Sequence, residues 1–159
     1  MTTQTYEIEA RALAEEQTAV MFATLTADEL PAWLGRAFAD VARYLTKWGA
    51  GPAGPPFARY HRLDDGRLEV EAGFPAITPV AGEGDVEPSD LPEGPAAVTV
   101  HVGPYGAMAP AYDALAAWIE AQGGTANGEP FERYLSDPQA SPDPATWRTE
   151  VVAPYRPAS

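Results

Sequence analysis

The chain has 159 residues, no cysteine and a net charge of −13, from 10 Lys+Arg against 23 Asp+Glu. That length suits one ordinary domain with a real hydrophobic core. The missing thiols exclude disulfides, thiolate metal sites and cysteine nucleophiles, and the surplus of acids disfavours a phosphate backbone as partner.

The opening "MTTQTYEIEARALAEEQ" has neither the basic nor the apolar region of a signal peptide. No apolar run reaches the roughly 18 residues of a membrane span, so a soluble, cytoplasmic chain is expected. "TAVMFATL" (18–25) is short, apolar and β-branched, as buried strands are. Residues 32–48 place Leu34, Phe38, Val41, Leu45 and Trp48 at helical spacing, with Gly49 as C-cap. "GAGPAGPP" makes a tight connector, and "FARYHRLDDGRLEVEAGF" a hairpin turning at "DDG". Residues 78–94 hold five acids, no bases and several Pro and Gly, which predicts a solvated linker. "AAVTVHV" (96–102) is the next strand. Residues 108–121 form a second helix on Met108, Tyr112, Leu115 and Ile119, capped by Gly123. "FERYLSDP…WRTEVVAPY" is a second hairpin with a longer, Pro-rich loop.

The second half repeats the first. Residues 42–61 and 116–135 align without a gap, with seven of twenty positions identical, among them Pro56/130, Phe57/131, Arg59/133 and Tyr60/134. Each half reads strand–helix–strand–strand, over about 16–76 and 95–155. Each is too small to stand alone, so one α+β domain spanning 1–159 is expected, with an antiparallel sheet carrying both helices.

"EVEAGFP", "HVGPYGAM…AYDALAAWI", "PFERYLSDP" and "TEVVAPY", in this order, resemble the GyrI-like, AraC-type effector-binding domain. The resemblance covers roughly residues 5–155. It implies a pseudo-twofold duplication of the strand–helix–strand–strand module, with a ligand groove between the halves. Members fused to DNA-binding domains are regulators that sense drugs, often lipophilic cations. Stand-alone members include a gyrase inhibitor and hydrolases of cyclopropane-bearing alkylating natural products, and a SOUL-type haem-binding fold is a distant relation. The module begins almost at Met1, so a stand-alone member is expected, without intrinsic DNA binding. Fold alone does not choose among these activities.

Glu132 matches the family's groove carboxylate. On a strand it shares a face with Tyr134, while Phe131, Arg133 and Leu135 share the other. A carboxylate among aromatics is poorly solvated, and a planar organic cation relieves it. The competing reading is an exposed strand glutamate, or one paired with a base such as Arg59. Tyr60 and Tyr134 are the matched hydroxyls of the two copies. Tyr105, at the strand end before the second helix, matches a recurrent family tyrosine. Trp118, Phe57, Tyr112 and Trp33 are candidate walls that also suit core packing. His101 is a candidate groove contact, expected half-buried. His61 and His101 are 40 residues apart, without HExxH or another ligand spacing, so neither a metal nor a cofactor is expected. The few serines lie outside GxSxG, and the isolated glycines do not form a phosphate loop.

Two functions remain open. In one, the groove binds a lipophilic, cationic small molecule, for sequestration or for presentation to a protein partner. In the other, Glu132 orients water onto a strained cyclopropane while Tyr105 or Tyr134 polarises the conjugated carbonyl. Glu132 opposite a neutral Ala58 gives the groove one charged end, since a second carboxylate nearby would raise both pKa values.

Overall fold

The computed structural model describes residues 5–48, 51–136 and 140–158. The capping role expected of Gly49 lies outside them, as do residues 137–139 of the second hairpin loop. The chain divides into two compact units, one of Ala14–Glu93 and one of the described residues up to Leu13 and from Gly94 onward.

In the first unit, β2 (Glu16–Leu25) leads through a 3-10 turn into α1 (Leu30–Lys47). Glu29 accepts the Thr26 backbone N–H at 2.9 Å, and Pro31 lies in the first turn of α1, where its missing N–H costs nothing. Next come β3 (Phe57–Arg62), β4 (Leu68–Pro75) and β5 (Glu87–Leu91). The antiparallel order is β3-β4-β2-β5. The β3–β4 hairpin turns at Gly66 with φ +87°, as "DDG" predicts. Val41, Tyr44 and Leu45 of α1 pack on Ala19 and Ala76.

The second unit has β1 (Glu9–Leu13), β6 (Gly94–Val102), α2 (Ala109–Ala121), a two-residue β7 (Thr125–Ala126), β8 (Phe131–Tyr134) and β9 (Arg148–Arg156). Its antiparallel order is β1-β6-β9-β8, and β7 pairs with the far end of β9. Gly123, at φ +75°, follows α2 and donates its N–H to Glu120 O at 2.9 Å, the C-cap expected of it. Met108, Ala111, Leu115 and Ile119 bury against Ala97, Val151 and Tyr155.

The duplication holds residue by residue. Phe57 pairs with Gly73 and Phe131 with Val152; Arg59 pairs with Glu71 and Arg133 with Glu150. Both Arg–Glu pairs are ion pairs, at 2.7 Å and 3.3 Å. Each carboxylate takes a further partner from the edge strand two strands away: Ser89 of β5 donates to Glu71 at 2.7 Å, and Arg11 of β1 meets Glu150 at 3.3 Å. The fold is thus α+β, a strand–helix–strand–strand module occurring twice, with an added edge strand in each copy.

Three expectations need correction. Residues 78–94 are not all solvated linker, because Glu87–Leu91 pairs with β2 and buries Leu91. Trp48 is 64% exposed, since α1 ends at Lys47 and its apolar stripe runs instead through Trp33, Ala37, Val41, Tyr44 and Leu45. His101 is fully buried rather than half-buried.

Candidate functional site

In the second unit the sheet face carrying Glu132 and Tyr134 is the face met by α2. The alternation of β8 directs both side chains the same way. Tyr134 donates its hydroxyl to Glu132 Oε1 at 2.8 Å. Tyr112 stands on α2 one turn after the buried Met108 and two turns before the buried Ile119, and it donates its hydroxyl to Glu132 Oε2. Each carboxylate oxygen therefore has a tyrosine donor, and Glu132 is buried rather than turned to bulk solvent.

Among the described residues no Lys or Arg pairs with Glu132. Arg59, the base suggested as its partner by the competing reading, is held by Glu71. Burial pushes the Glu132 carboxyl above the ordinary glutamate value of 4.5, and the two tyrosine hydroxyls offset only part of that. A desolvated carboxylate with two neutral donors and no counter-ion attracts a positive charge that reaches it.

Aromatic rings complete the site. Tyr105 lies in a 3-10 turn, Tyr105–Ala107, after β6. Its ring meets Tyr134 edge-on at 5.4 Å and stacks on Trp147 at 4.7 Å. Trp147 immediately precedes β9, and its carbonyl accepts the Gly103 N–H at 2.8 Å, which ties the Tyr105 turn to the start of that strand. Trp147 was not among the candidates. Its signal lay in the pairing of the end of "AAVTVHV" with the start of "RTEVVAPY", which brings the residues just beyond each strand together.

The other candidates have other surroundings. Trp118 packs edge-on against Tyr155 at 5.6 Å and backs the α2 core. Phe57 and Trp33 are buried in the first unit, on β3 and α1. Tyr60 is half-buried on β3 opposite Val70. His101 receives the Tyr6 hydroxyl at Nδ1 (2.9 Å) and faces Pro104 O from Nε2 (3.1 Å). It braces the turn that carries Tyr105.

The first unit does not repeat this chemistry. Ala58, fully buried, stands at the position of Glu132, and Phe38 at that of Tyr112. Phe38 makes an edge contact with Phe74 at 5.9 Å. One copy of the module has an apolar helix–sheet interface, and the other has a carboxylate set among tyrosines.

A duplicated antiparallel α+β domain with one buried, aromatic-flanked carboxylate has the makings of a small-molecule binding domain. The family model of the GyrI-like small molecule binding domain matches residues 15–156, and the chain belongs to that family. Solved structures share its fold. EcmrR in a DNA complex is 21% identical with a TM-score of 0.82, covering 96% of this chain; the chain spans only 58% of EcmrR's length. The isolated EcmrR C-terminal domain is 20% identical with a TM-score of 0.77, covering 98% of this chain and 100% of that domain. A hydrolase from Listeria innocua is 15% identical, TM-score 0.68, over 94% of this chain and 92% of its own. SAV2435, solved bound to tetraphenylphosphonium, is 13% identical, TM-score 0.64, over 94% of both chains. No curated protein matches the chain. Among the described residues no helix is long and apolar enough to cross a membrane.

Proposed function

We propose that this chain binds a lipophilic organic cation at Glu132, with Tyr105, Tyr112, Tyr134 and Trp147 supplying aromatic surface. The observation that carries this reading is the buried Glu132 carboxyl, held by two tyrosine hydroxyls with no basic partner among the described residues. Tetraphenylphosphonium, the ligand of SAV2435, is the natural first probe. Its affinity here depends on pH with a definite sign. The cation prefers the carboxylate, but burial favours the protonated form of the free protein. Affinity therefore rises with pH through the raised Glu132 pKa, by about tenfold per unit below it, and levels off above. Calorimetric titration over a pH series checks this. An affinity flat across the acid range means that Glu132 is not the anchor.

A second reading has support from the same carboxyl. A base with a raised pKa beside two hydroxyls suits general base chemistry. On an activated cyclopropane, water would add to the ring carbon and pass a proton to Glu132. The ring bond would break toward the conjugated carbonyl, whose oxygen takes a proton from Tyr134, Tyr112 or Tyr105. Incubation with such a substrate would then yield a product heavier by one water, read by mass, and Glu132→Gln would slow its formation without preventing substrate binding. Turnover equal to wild type in that variant removes Glu132 from the step.

A further inference from the structure

The two copies differ at more than Glu132 and Tyr112. On the helix-facing side of the first sheet stand Met21, Ala23, Val70 and Ala58, with Phe38 above them on α1. By strand register their counterparts are Thr99, His101, Thr149, Glu132 and Tyr112. An apolar surface in one copy is polar at all five positions in the other. Four of the five have hydrogen bonds. Thr99 Oγ1 donates to Glu7 O at 2.9 Å, His101 is held at both ring nitrogens, and Tyr112 and Glu132 bond one another. Thr149 is the exception. It is fully buried, and its hydroxyl has no hydrogen-bond partner among the described residues.

A buried hydroxyl without a partner lowers stability, and valine fills nearly the same volume without that loss. Val70 does so at the matching position of the first copy. Thr149 pairs directly with Tyr134 on one side and His101 on the other, so it belongs to the row of side chains that holds the Glu132 site. Glu132 is opposite Val151, which puts Thr149 on its diagonal, about 7–8 Å away in an antiparallel ladder.

We propose that the Thr149 hydroxyl is a second polar anchor of the Glu132 site, and that the ligand served is a lipophilic cation bearing an uncharged hydrogen-bonding group, such as a hydroxyl or amide, about one para-substituted ring from its charge. The inference rests on the cation-binding reading above and narrows its ligand class. When the cation sits against the Glu132 carboxylate, it competes electrostatically with the Tyr134 hydroxyl bond there, and the neighbouring Thr149 receives the neutral group.

Two matched probes test it: triphenyl(4-hydroxymethylphenyl)phosphonium and triphenyl(4-ethylphenyl)phosphonium, with the same charge and nearly the same shape. Wild-type protein is expected to prefer the hydroxymethyl compound by about three- to tenfold, the yield of one added neutral hydrogen bond. Thr149→Ser keeps the preference, and Thr149→Val abolishes it while raising the melting temperature. Equal affinities for the two probes in wild type, or a preference that survives in Thr149→Val, overturn the second anchor and leave the Glu132 reading standing. Failure of both probes and of tetraphenylphosphonium to bind wild-type protein overturns the cation reading and this inference with it.

Discussion

Replacing Glu132 by glutamine weakens tetraphenylphosphonium binding by about 10- to 100-fold, or about 1.5–3 kcal/mol, the range for hydrogen bonds and contacts to a charged group. The same change leaves triphenylphosphine oxide, a neutral triaryl compound, bound nearly as before. Glutamine keeps the size of the side chain and one acceptor oxygen for Tyr112 or Tyr134, so it removes charge and little else. The variant also shifts stability in a direction opposite to affinity. A carboxyl whose pKa is raised by folding contributes its full stability below the unfolded value, near 4.5, and loses it as pH rises through the folded value. At any pH above the raised folded value the wild-type protein therefore holds a carboxylate in a site that disfavours it. Glu132→Gln relieves this, and the unliganded variant melts a few degrees higher, about 2–4 °C for each kcal/mol in a chain of this size. Calorimetric titration with the two ligands and melting curves at pH 4 and pH 7 read both effects. Equal losses of affinity for cation and neutral compound would mean that the substitution disturbs structure rather than charge.

Gly73→Ala is strongly destabilising, by ~3 kcal/mol or more. Gly73 lies on β4 between Val20 of β2 and Phe57 of β3. A Cβ placed on it would approach Ala19 O to 1.9 Å and Val20 Cα to 2.8 Å. Both atoms are backbone, in a part of the sheet where Ala19, Val20 and Phe57 are buried, so neither has a rotamer to escape into. Overpacking of well-filled cores costs typically ~1–3 kcal/mol, and a clash with main chain lies at or beyond the upper end. A loss of ~3 kcal/mol or more lowers the melting temperature by about 6–12 °C. Val152 at the matching position of β9 accepts its side chain without difficulty, so the constraint belongs to the local path of β2 and β4 and not to the module. A melting temperature within ~2 °C of wild type for Gly73→Ala would show that β2 yields at Ala19.

The duplication and the type of each main element were legible in the sequence. Identical residues at constant spacing mark the repeat, and the apolar periods of "TAVMFATL", residues 32–48, "AAVTVHV" and residues 108–121 come from burial on one face, which is a local property. Alternation along "FERY" likewise placed Glu132 with Tyr134. The edge strands were not legible. "EARAL" and "EPSDL" are polar segments whose strand state comes from hydrogen bonds to β6 and β2, and a partner strand leaves no period in the segment it captures. Trp48 fits the helical period but falls one residue past the end of α1, where no second layer covers it.

The site divides in the same way. The sequence by itself determined that the second copy carries Glu132 where the first has Ala58, and that Tyr134 shares its strand face. Only the tertiary structure decided which aromatics touch it. Tyr112 reaches Glu132 from a helix 20 residues away in the chain, and Trp147 comes under Tyr105 because β6 and β9 pair at their ends. It also decided that Arg59 pairs with Glu71, and that, among the described residues, Glu132 has no basic partner and the buried Thr149 hydroxyl no hydrogen bond. Charge and hydrogen-bonding capacity are written in residue type, but whether they are satisfied depends on distances between segments remote in the chain, and those are set by packing.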